Sequence, residues 1–216
     1  MQALALASNR INNVAEIKKI PTTLLADQIS ELVLVIGAAE KTNQQLQQIS
    51  ELFFAQEKEA ALSIFQQLKD EHYMLCNDLM IRENENCKQH LADFFTEIEW
   101  LLHDKPVRQF NYYSNQILCL GELLSSCIIS YFLNESGIHN TWIDARDIIR
   151  TDNHFTNAQI NTTISTAKIR TLISNPLNAK MLVTQSNTGA TDDNESTIFG
   201  RLEGTDATII FNSVFN

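Results

Sequence analysis

The sequence predicts an α/β protein in which a mostly parallel central sheet lies between helices and carries a helical hairpin as an insertion. The first observation is the run Leu32–Ile36, which is apolar throughout and ends at Gly37. A strand that is apolar on both faces is typical of a parallel sheet covered by helices on both sides. The second is the alternation of strand-like and helix-like segments before this run, which indicates a right-handed β-α-β unit. The third is that apolar residues recur at helical spacing throughout residues 43–102.

The β-α-β unit begins at the N-terminus. Residues 3–7 predict a short buried strand. Residues 14–29 carry apolar side chains at helical spacing, interrupted by Pro21. The strand Leu32–Ile36 closes the unit.

Residues 43–102 predict long amphipathic helices. Apolar side chains recur there at helical spacing, while glutamine and glutamate fall on the other face. The apolar positions are Leu46, Ile49, Phe53, Leu62, Phe65, Leu68, Leu75, Leu79, Leu91, Phe94, Phe95, Ile98 and Leu101. An apolar stripe must be buried against another element, so we expect a helical hairpin packed on one side of the sheet.

The C-terminal half returns to alternation. Residues 115–134 predict a helix that stops near Gly137. Strands are expected at 141–144 and 180–184. Residues 186–197 are rich in threonine, asparagine and aspartate and predict a loop at a strand's carboxyl end, where open α/β sheets bind ligands.

The composition is typical of a single folded unit. The chain has 216 residues, 44% of them hydrophobic, so it can bury a sizeable core. Its net charge of −10 argues against nucleic acid as a partner, because that binding depends on Lys and Arg neutralising phosphates. No apolar run approaches the roughly 18 to 20 residues that span a bilayer, so we expect no membrane contact. Four cysteines without a disulfide-like spacing indicate reduced thiols in a cytoplasmic protein.

Two linked segments resemble a known family. Residues 121–126 read Gly-Glu-Leu-Leu-Ser-Ser, and residues 142–152 read Trp-Ile-Asp-Ala-Arg-Asp-Ile-Ile-Arg-Thr-Asp. They resemble the aspartokinases, in which a Gly-Glu-x-Leu-Ser helix start is followed by a strand ending in Asp-Ala-Arg and then by a stretch ending in Thr-Asp. The resemblance covers residues 1 to about 211. It implies the amino-acid kinase (carbamate kinase-like) fold, with the acceptor amino acid bound in the N-terminal lobe.

The resemblance also bears on domain organisation. An aspartokinase is a longer protein, in which a nucleotide lobe and regulatory domains follow the acceptor lobe. This chain ends at Asn216, where the nucleotide lobe should begin. We therefore expect residues 1–216 to be a single acceptor-lobe domain, with the nucleotide lobe and the regulatory domains absent or truncated.

The phosphate-handling motif of the family is degraded. Phosphoryl transfer needs positive charge and backbone donors around the transferred group. Aspartokinases resemble one another in supplying these from a Lys-Phe-Gly-Gly-Thr-Ser run after the first strand. The aligned residues here are Ala-Leu-Ala-Ser-Asn-Arg, so Ala5 stands at the lysine position, and Ala7 and Ser8 stand at the glycine positions. Arg10 is a possible replacement for the lost charge, displaced by five residues along the chain.

Two further motifs are partly retained. A Ser-Ala-Met-Gly-Gly-Val-Thr-Asn pattern corresponds to residues 36–43, where only Thr42 and Asn43 survive and Ile36 replaces the serine. A Gly-Arg-Gly-Gly-Ser-Asp-Tyr-Thr pattern corresponds to residues 200–208, with one residue inserted after Arg201.

The resemblance leaves five candidate substrate-binding residues: Thr42, Glu122, Arg201, Thr205 and Asp206. It leaves the catalytic residue unassigned. In the family, the glutamate holds the α-ammonium of the amino acid, and the arginine grips a carboxylate through a bidentate fork. The alternative is that Glu122 only complements the dipole in the first turn of its helix, while Arg201 is an exposed loop residue.

Two other clusters carry metal-ligand residue types. The four side chains His72, Cys76, Cys87 and His90 offer a tetrahedral zinc set, but their spacing matches no standard structural-zinc pattern, and buried structural cysteines are the favoured interpretation. Asp192, Asp193 and Glu195 offer carboxylates for a divalent cation, but a solvated turn is favoured. We therefore assign no metal site.

The resemblance implies ATP-dependent phosphorylation of the side-chain carboxylate of L-aspartate in lysine, threonine and methionine biosynthesis. ATP and Mg²⁺ are the cofactors implied, and L-aspartate or a similar small amino acid is the ligand. Because the phosphate motif is degraded, we expect this chain to be impaired or inactive alone. The alternative is a non-catalytic domain that binds an amino acid or a partner, such as a homoserine dehydrogenase domain or a second copy of itself.

Overall fold

Strands β1 (Gln2–Leu6), β2 (Leu32–Ile36), β3 (Thr141–Trp142) and β4 (Met181–Gln185) form a parallel sheet in the order β1-β2-β4-β3. This is the arrangement in the computed structural model, which describes residues 2–26, 31–174, 180–200 and 204–215. All of β2 is buried. The predicted α/β class and parallel central sheet are thereby confirmed.

The first strand is present but less buried than predicted. β1 pairs only with β2 among the described strands, and Ala3 is its one buried residue. The prediction of a buried strand was wrong in this respect, because an apolar composition does not distinguish an edge strand from a central one. The central strand β2, by contrast, is buried on both faces of the sheet. Its side chains point alternately to the two faces, so Leu32, Leu34 and Ile36 belong to one core cluster and Val33 and Val35 to another.

The predicted first helix is split into two. Helix α1 (Val14–Ile17) ends before α2 (Ile20–Ala26) begins, and Asn13 caps α1 by accepting from the backbone N–H of Glu16. Pro21 lies in the first turn of α2, where its missing N–H leaves no helical hydrogen bond unmade. The end of the predicted helix, residues 27–29, lies outside the described residues.

Four long helices cover one face of the sheet: α3 (Glu40–Phe54), α4 (Lys58–Leu79), α5 (Asn84–His103) and α6 (Phe110–Glu135). Residues 43–102, predicted as a helical hairpin, form three helices, α3, α4 and α5. The pair α4 and α5 packs its apolar residues against α3 and α6. Gly137 follows α6 with φ +82°, as expected of a helix stop.

Helix α6 corrects the prediction that no apolar run is long enough to cross a membrane. It has 26 residues, and the mean hydropathy of its best 18-residue window is 1.6, so its length and composition suffice. However, 83% of that window is buried inside the protein, as in a core helix. The helix is apolar because it is enclosed by α3, α5 and the sheet.

The other face of the sheet is covered by α7 (Ala145–Ile148), α8 (Thr162–Ser174) and α9 (Thr208–Phe215). The predicted loop 186–197 instead contains a hairpin of β5 (Thr188–Ala190) and β6 (Ser196–Ile198). All six strand residues are buried, but half of them are polar and one is glycine, so composition alone suggested a loop. Asn194, with φ +61°, lies in the turn between the two strands.

Candidate functional site

A polar cleft of about 410 Å³ opens at the carboxyl ends of the parallel strands. Its walls come from α3, α6, the segment after β4, the end of β6 and the segment before α9. The lining residues are Asn43, Leu118, Glu122, Ser186, Asn187, Ile198, Gly200, Gly204, Thr205 and Asp206. This is the place at which open α/β sheets bind ligands. The structure therefore brings together three of the predicted site residues: Glu122, Thr205 and Asp206.

Glu122 reaches the cleft from the middle of α6. The preceding Gly121 allows α3 to approach closely, since a Cβ there would lie 2.9 Å from Ala38 Cβ and 3.3 Å from Asn43 Oδ1. The interpretation of Glu122 as a first-turn residue was wrong, because α6 begins at Phe110. Its carboxylate therefore does not serve the helix dipole.

The Glu122 carboxylate is held by the segment that follows β4. Its Oε2 atom accepts hydrogen bonds from the backbone N–H of Asn187 and from Thr188 Oγ1, both at 2.8 Å. Burial raises the pKa of Glu122 to about 7, while these hydrogen bonds oppose the shift. The group is thus a half-buried carboxylate that titrates near neutral pH.

The loop beside Glu122 is fixed by Asn187. The side-chain nitrogen Nδ2 of Asn187 donates to the carbonyl oxygens of Phe199 at 3.0 Å and Thr205 at 2.6 Å. Gly200 has φ +72°, and a Cβ at this position would collide with the carbonyl oxygen of Thr205. A glycine is therefore required at Gly200, and this close approach shapes one wall of the cleft.

Asp206 has a local structural partner. Its Oδ1 atom accepts from the backbone N–H of Thr208 at 2.9 Å and from the Thr208 hydroxyl, at the start of α9. This is the bonding pattern of a helix N-cap. Asp206 thus lines the cleft while part of its hydrogen-bonding capacity is already used.

Polar side chains of α6 attach the helix to the sheet and the hairpin. Gln116 exchanges hydrogen bonds with the backbone of Ser196, and Asn115 accepts from the N–H of Ile198 at 2.7 Å. Ser126 Oγ accepts from Gln185 Nε2 at 2.6 Å. These contacts hold Glu122 in place against the end of β4.

The other candidates are placed differently. Thr42 lies beside a second cavity, where Thr42 Oγ1 is 3.4 Å from His72 Nε2. Arg201 lies outside the described residues. Ala5 pairs with Val35 in the sheet, and the guanidinium of Arg10 donates to Thr23 Oγ1 at 2.8 Å.

Sequence reasoning missed several cleft residues, namely Asn43, Ser186, Asn187, Gly200 and Gly204. A signal existed for two of them, because Ser186 and Asn187 directly follow a predicted strand. It existed for Asn43 as well, since this residue survives from the family's second motif. The glycines carry no side-chain chemistry, so only the geometry of the loop reveals them.

The candidate metal ligands form ordinary structural contacts. Cys76 Sγ and Cys87 Sγ lie 3.6 Å apart in the core, and His72 Nδ1 lies 2.8 Å from the carbonyl oxygen of Leu68. Within the described part of the chain, no three histidine, cysteine or acidic side chains converge as a metal site would require. In the acidic turn, Glu195 pairs with Arg108.

The described residues that line the cleft include no lysine or arginine. The donors that hold Glu122 are already engaged by its carboxylate. The described residues of the cleft therefore do not fit a nucleoside triphosphate with Mg²⁺.

Comparison with known proteins gives the structural relatives. E. coli aspartokinase III in complex with lysine and aspartate (T-state) superimposes with a TM-score of 0.76 at 15% identity, over 93% of this chain and 43% of that one. Its R-state complex with aspartate and ADP gives 0.74 at 16% identity, over 93% and 44%. Clostridium acetobutylicum aspartate kinase gives 0.67 at 14% identity, over 93% and 42%.

These similarities establish the fold, and the chain spans less than half the length of each of these enzymes. A search of curated protein sequences found no match. The model of the amino acid kinase family matches residues 3–210, which is nearly the whole chain. The chain therefore belongs to the amino acid kinase family.

Proposed function

We propose that this chain is an aspartokinase-like domain that binds a small amino acid, of the class of L-aspartate, in the polar cleft. The observation that carries the proposal is the half-buried Glu122 carboxylate, held by Asn187 and Thr188 at the carboxyl end of the sheet. A carboxylate fixed in this way is a suitable partner for an α-ammonium group. Asn43 and Thr205 add polar groups at the walls of the same cleft.

Arg201 completes the proposed site as the group that binds a ligand carboxylate. It directly follows the cleft residue Gly200 in the sequence, and a guanidinium binds a carboxylate through two parallel hydrogen bonds. Thr205 and Asp206 lie at the opposite end of the same short segment. We retain Thr42 as a supporting residue, since it precedes Asn43 on α3.

We further propose that phosphoryl transfer is impaired in this chain. The E. coli relative was solved with aspartate and ADP, and an active kinase of this family would use ATP with Mg²⁺. Here Ala5 stands at the lysine position, and Arg10 is bonded to Thr23. The proposed alternative to a weak kinase is a cytoplasmic amino-acid-binding domain that acts with a partner, either a homoserine dehydrogenase domain or a second copy of this chain.

Binding is tested by calorimetry, in which L-aspartate is titrated into four proteins. They are the wild type, Glu122→Gln, Arg201→Ala and the control Glu59→Gln. Glu59 is an exposed helical glutamate outside the cleft, so its variant should bind as the wild type does. Loss of a charge-assisted hydrogen bond should weaken binding about 10-fold to 100-fold in Glu122→Gln. Equal binding by the wild type and Glu122→Gln, or no binding by the wild type, would refute the proposal.

Catalysis is tested separately, as aspartate-dependent ADP release in the presence of ATP and Mg²⁺. We expect no turnover above the background of ATP alone. The triple variant Ala5→Lys, Ala7→Gly, Ser8→Gly restores the family's phosphate motif. Activity in the triple variant alone would support a disabled kinase, whereas turnover by the wild type would contradict the proposed impairment.

A further inference from the structure

A second cavity of about 320 Å³ lies within the helical layer, and we refer to it as the helical-layer pocket. It is lined mainly by α1, α3, α4 and α6, is partly open to solvent, and is separate from the polar cleft. Most of its wall is apolar, with Ile17, Leu75, Ile128 and Ile129 among the lining side chains. Its volume is at the lower end of the range found for small-molecule sites.

Three buried polar side chains face this pocket from different helices: Thr42 on α3, His72 on α4 and Ser125 on α6. Each of them is more than nine-tenths buried. The Ser125 hydroxyl makes no hydrogen bond to another of the described residues, and it is not one of the fully enclosed polar atoms. It is therefore open to a hydrogen bond with a molecule in the pocket.

The hydrogen-bonding roles of His72 and Thr42 follow from their contacts. His72 Nδ1 lies 2.8 Å from the Leu68 carbonyl oxygen, which can only accept, so Nδ1 carries the proton and Nε2 is the acceptor. Burial lowers the pKa of His72, which keeps the imidazole neutral near pH 7. The Thr42 hydroxyl then donates to Nε2 at 3.4 Å, leaving its oxygen free to accept from a ligand.

Three of the described residues that line the pocket are charged: Lys41 and Asp78, which are exposed, and Glu71, which is half-buried. Lys41 and Glu71 neutralise each other in an ion pair of 2.7 Å. A charged ligand inside would lose its hydration without gaining an opposite charge. An apolar molecule would instead gain from contact with the aliphatic wall.

We propose that the helical-layer pocket is a second ligand site, which takes an uncharged small molecule with an apolar body and one hydroxyl group. The ligand hydroxyl donates to the oxygen of Thr42 and accepts from the Ser125 hydroxyl. A carbonyl group could only accept, so it would satisfy half of this arrangement. The body of the ligand lies against Ile128 and Ile129.

The test uses phenol and toluene, which are close in size and differ by a hydroxyl in place of a methyl group. Each is titrated into the isotope-labelled chain, while the NMR signals of Ile128 and Ile129 are followed. We expect saturable shifts of these signals, with phenol bound about twofold to tenfold more tightly than toluene. An excess of L-aspartate should leave the phenol affinity unchanged, since the polar cleft is a separate cavity.

Two variants show which side chain causes the preference for phenol over toluene. Ser125→Ala should reduce the preference for phenol over toluene, because it removes one of the two partners of the ligand hydroxyl. Ser50→Ala is the matched control, since Ser50 is a buried helical serine outside both cavities and should keep the preference. Equal affinities in the wild type, a preference that is unchanged in Ser125→Ala, or shifts confined to residues outside the pocket would overturn the proposal. None of these outcomes depends on whether the chain binds aspartate.

Discussion

The polar cleft and the helical-layer pocket lie against neighbouring faces of the same two helices. On α3, Asn43 faces the cleft and Thr42 faces the pocket; on α6, Glu122 faces the cleft and Ser125 faces the pocket. The cleft offers a carboxylate and backbone polar groups, whereas the pocket offers neutral hydroxyls within an aliphatic wall. The difference teaches that a short step along a helix separates two chemical environments. On α3 the step is one residue, which turns the side chain by about 100°, and on α6 it is three residues, which leaves the two side chains about 60° apart.

The cleft should be disrupted separately from the pocket by Gly200→Ala. The new side chain would collide with the Thr205 carbonyl oxygen at a positive φ, so we expect a loss of about 2 to 4 kcal/mol in the free energy of unfolding. Gly204→Ala is the matched control, since Gly204 has φ +63° but no neighbour within 4 Å, and should lose about 1 kcal/mol. Urea denaturation measures both, and equal losses would contradict the proposed collision.

The pH dependence of stability should distinguish the two cavities next. The folded-state pKa of Glu122 is raised from 4.5 to about 7, so its contribution is present below about pH 4.5 and is lost as pH rises through 7. After allowance for solvent screening, we expect wild type relative to Glu122→Gln to lose about 1 to 3 kcal/mol between pH 5 and pH 8. Urea denaturation across this range measures the difference, with Glu59→Gln as the control.

The same titration governs ligand binding. An α-ammonium group should bind better to the ionised carboxylate, so aspartate affinity should rise between pH 6 and pH 8. Phenol affinity should stay constant over that range. Parallel pH profiles for the two ligands would contradict the separation of the cavities.

The wall shared by the two cavities is probed by Gly121→Ala. A Cβ at Gly121 would press against Ala38 and Leu46 on the α3 side, so we expect a net loss of about 1 kcal/mol and weaker binding at both cavities. Gly37→Ala is the control, because a Cβ there meets nothing within 4 Å. Thermal unfolding and the two ligand titrations measure the effect. If Gly121→Ala kept the stability and both affinities of the wild type, α3 and α6 would be able to move apart at no cost.

The smallest effect is expected from Lys41→Gln at the mouth of the helical-layer pocket. Its ion pair with Glu71 is largely exposed, so stability should change by less than about 0.5 kcal/mol. Phenol affinity should remain within about twofold, since the proposed ligand is uncharged. A larger loss of affinity would show that the cation takes part in binding, and would redirect the ligand class toward anions.

Sequence patterns predicted the layers of the fold better than the site. The strand β2 and the helices α4 and α5 were recognised because their apolar residues recur at the spacing of a buried strand or of a helix with one buried face. The hairpin β5–β6 was missed because half of its buried residues are polar, and their partners lie on α6, about 80 residues away in sequence. The edge position of β1 was missed because it depends on which strands adjoin it.

The candidate site was predicted in part. The family resemblance selected Glu122, Thr205 and Asp206, which the fold brings to one cleft, and Thr42, which it places beside another. Asn187 follows a predicted strand, but no pattern in the sequence indicated that its side-chain amide would donate to the carbonyl oxygens of both Phe199 and Thr205. Its role arises from hydrogen bonds to backbone carbonyl groups. Because residues of every type carry such a group, the sequence does not show which residues accept these bonds.

The sequence by itself determined the α/β class, the parallel central strand and the helical layer, since hydrophobic periodicity is a local record of which faces are buried. It also determined the family, through motifs that lie close together along the chain. The tertiary structure decided which residues share a cavity, because Glu122 meets Asn187 across 65 positions of sequence. It also decided that Thr42 and Asn43 serve different cavities, since only the packing of α3 against α4 and α6 sets where each side chain points.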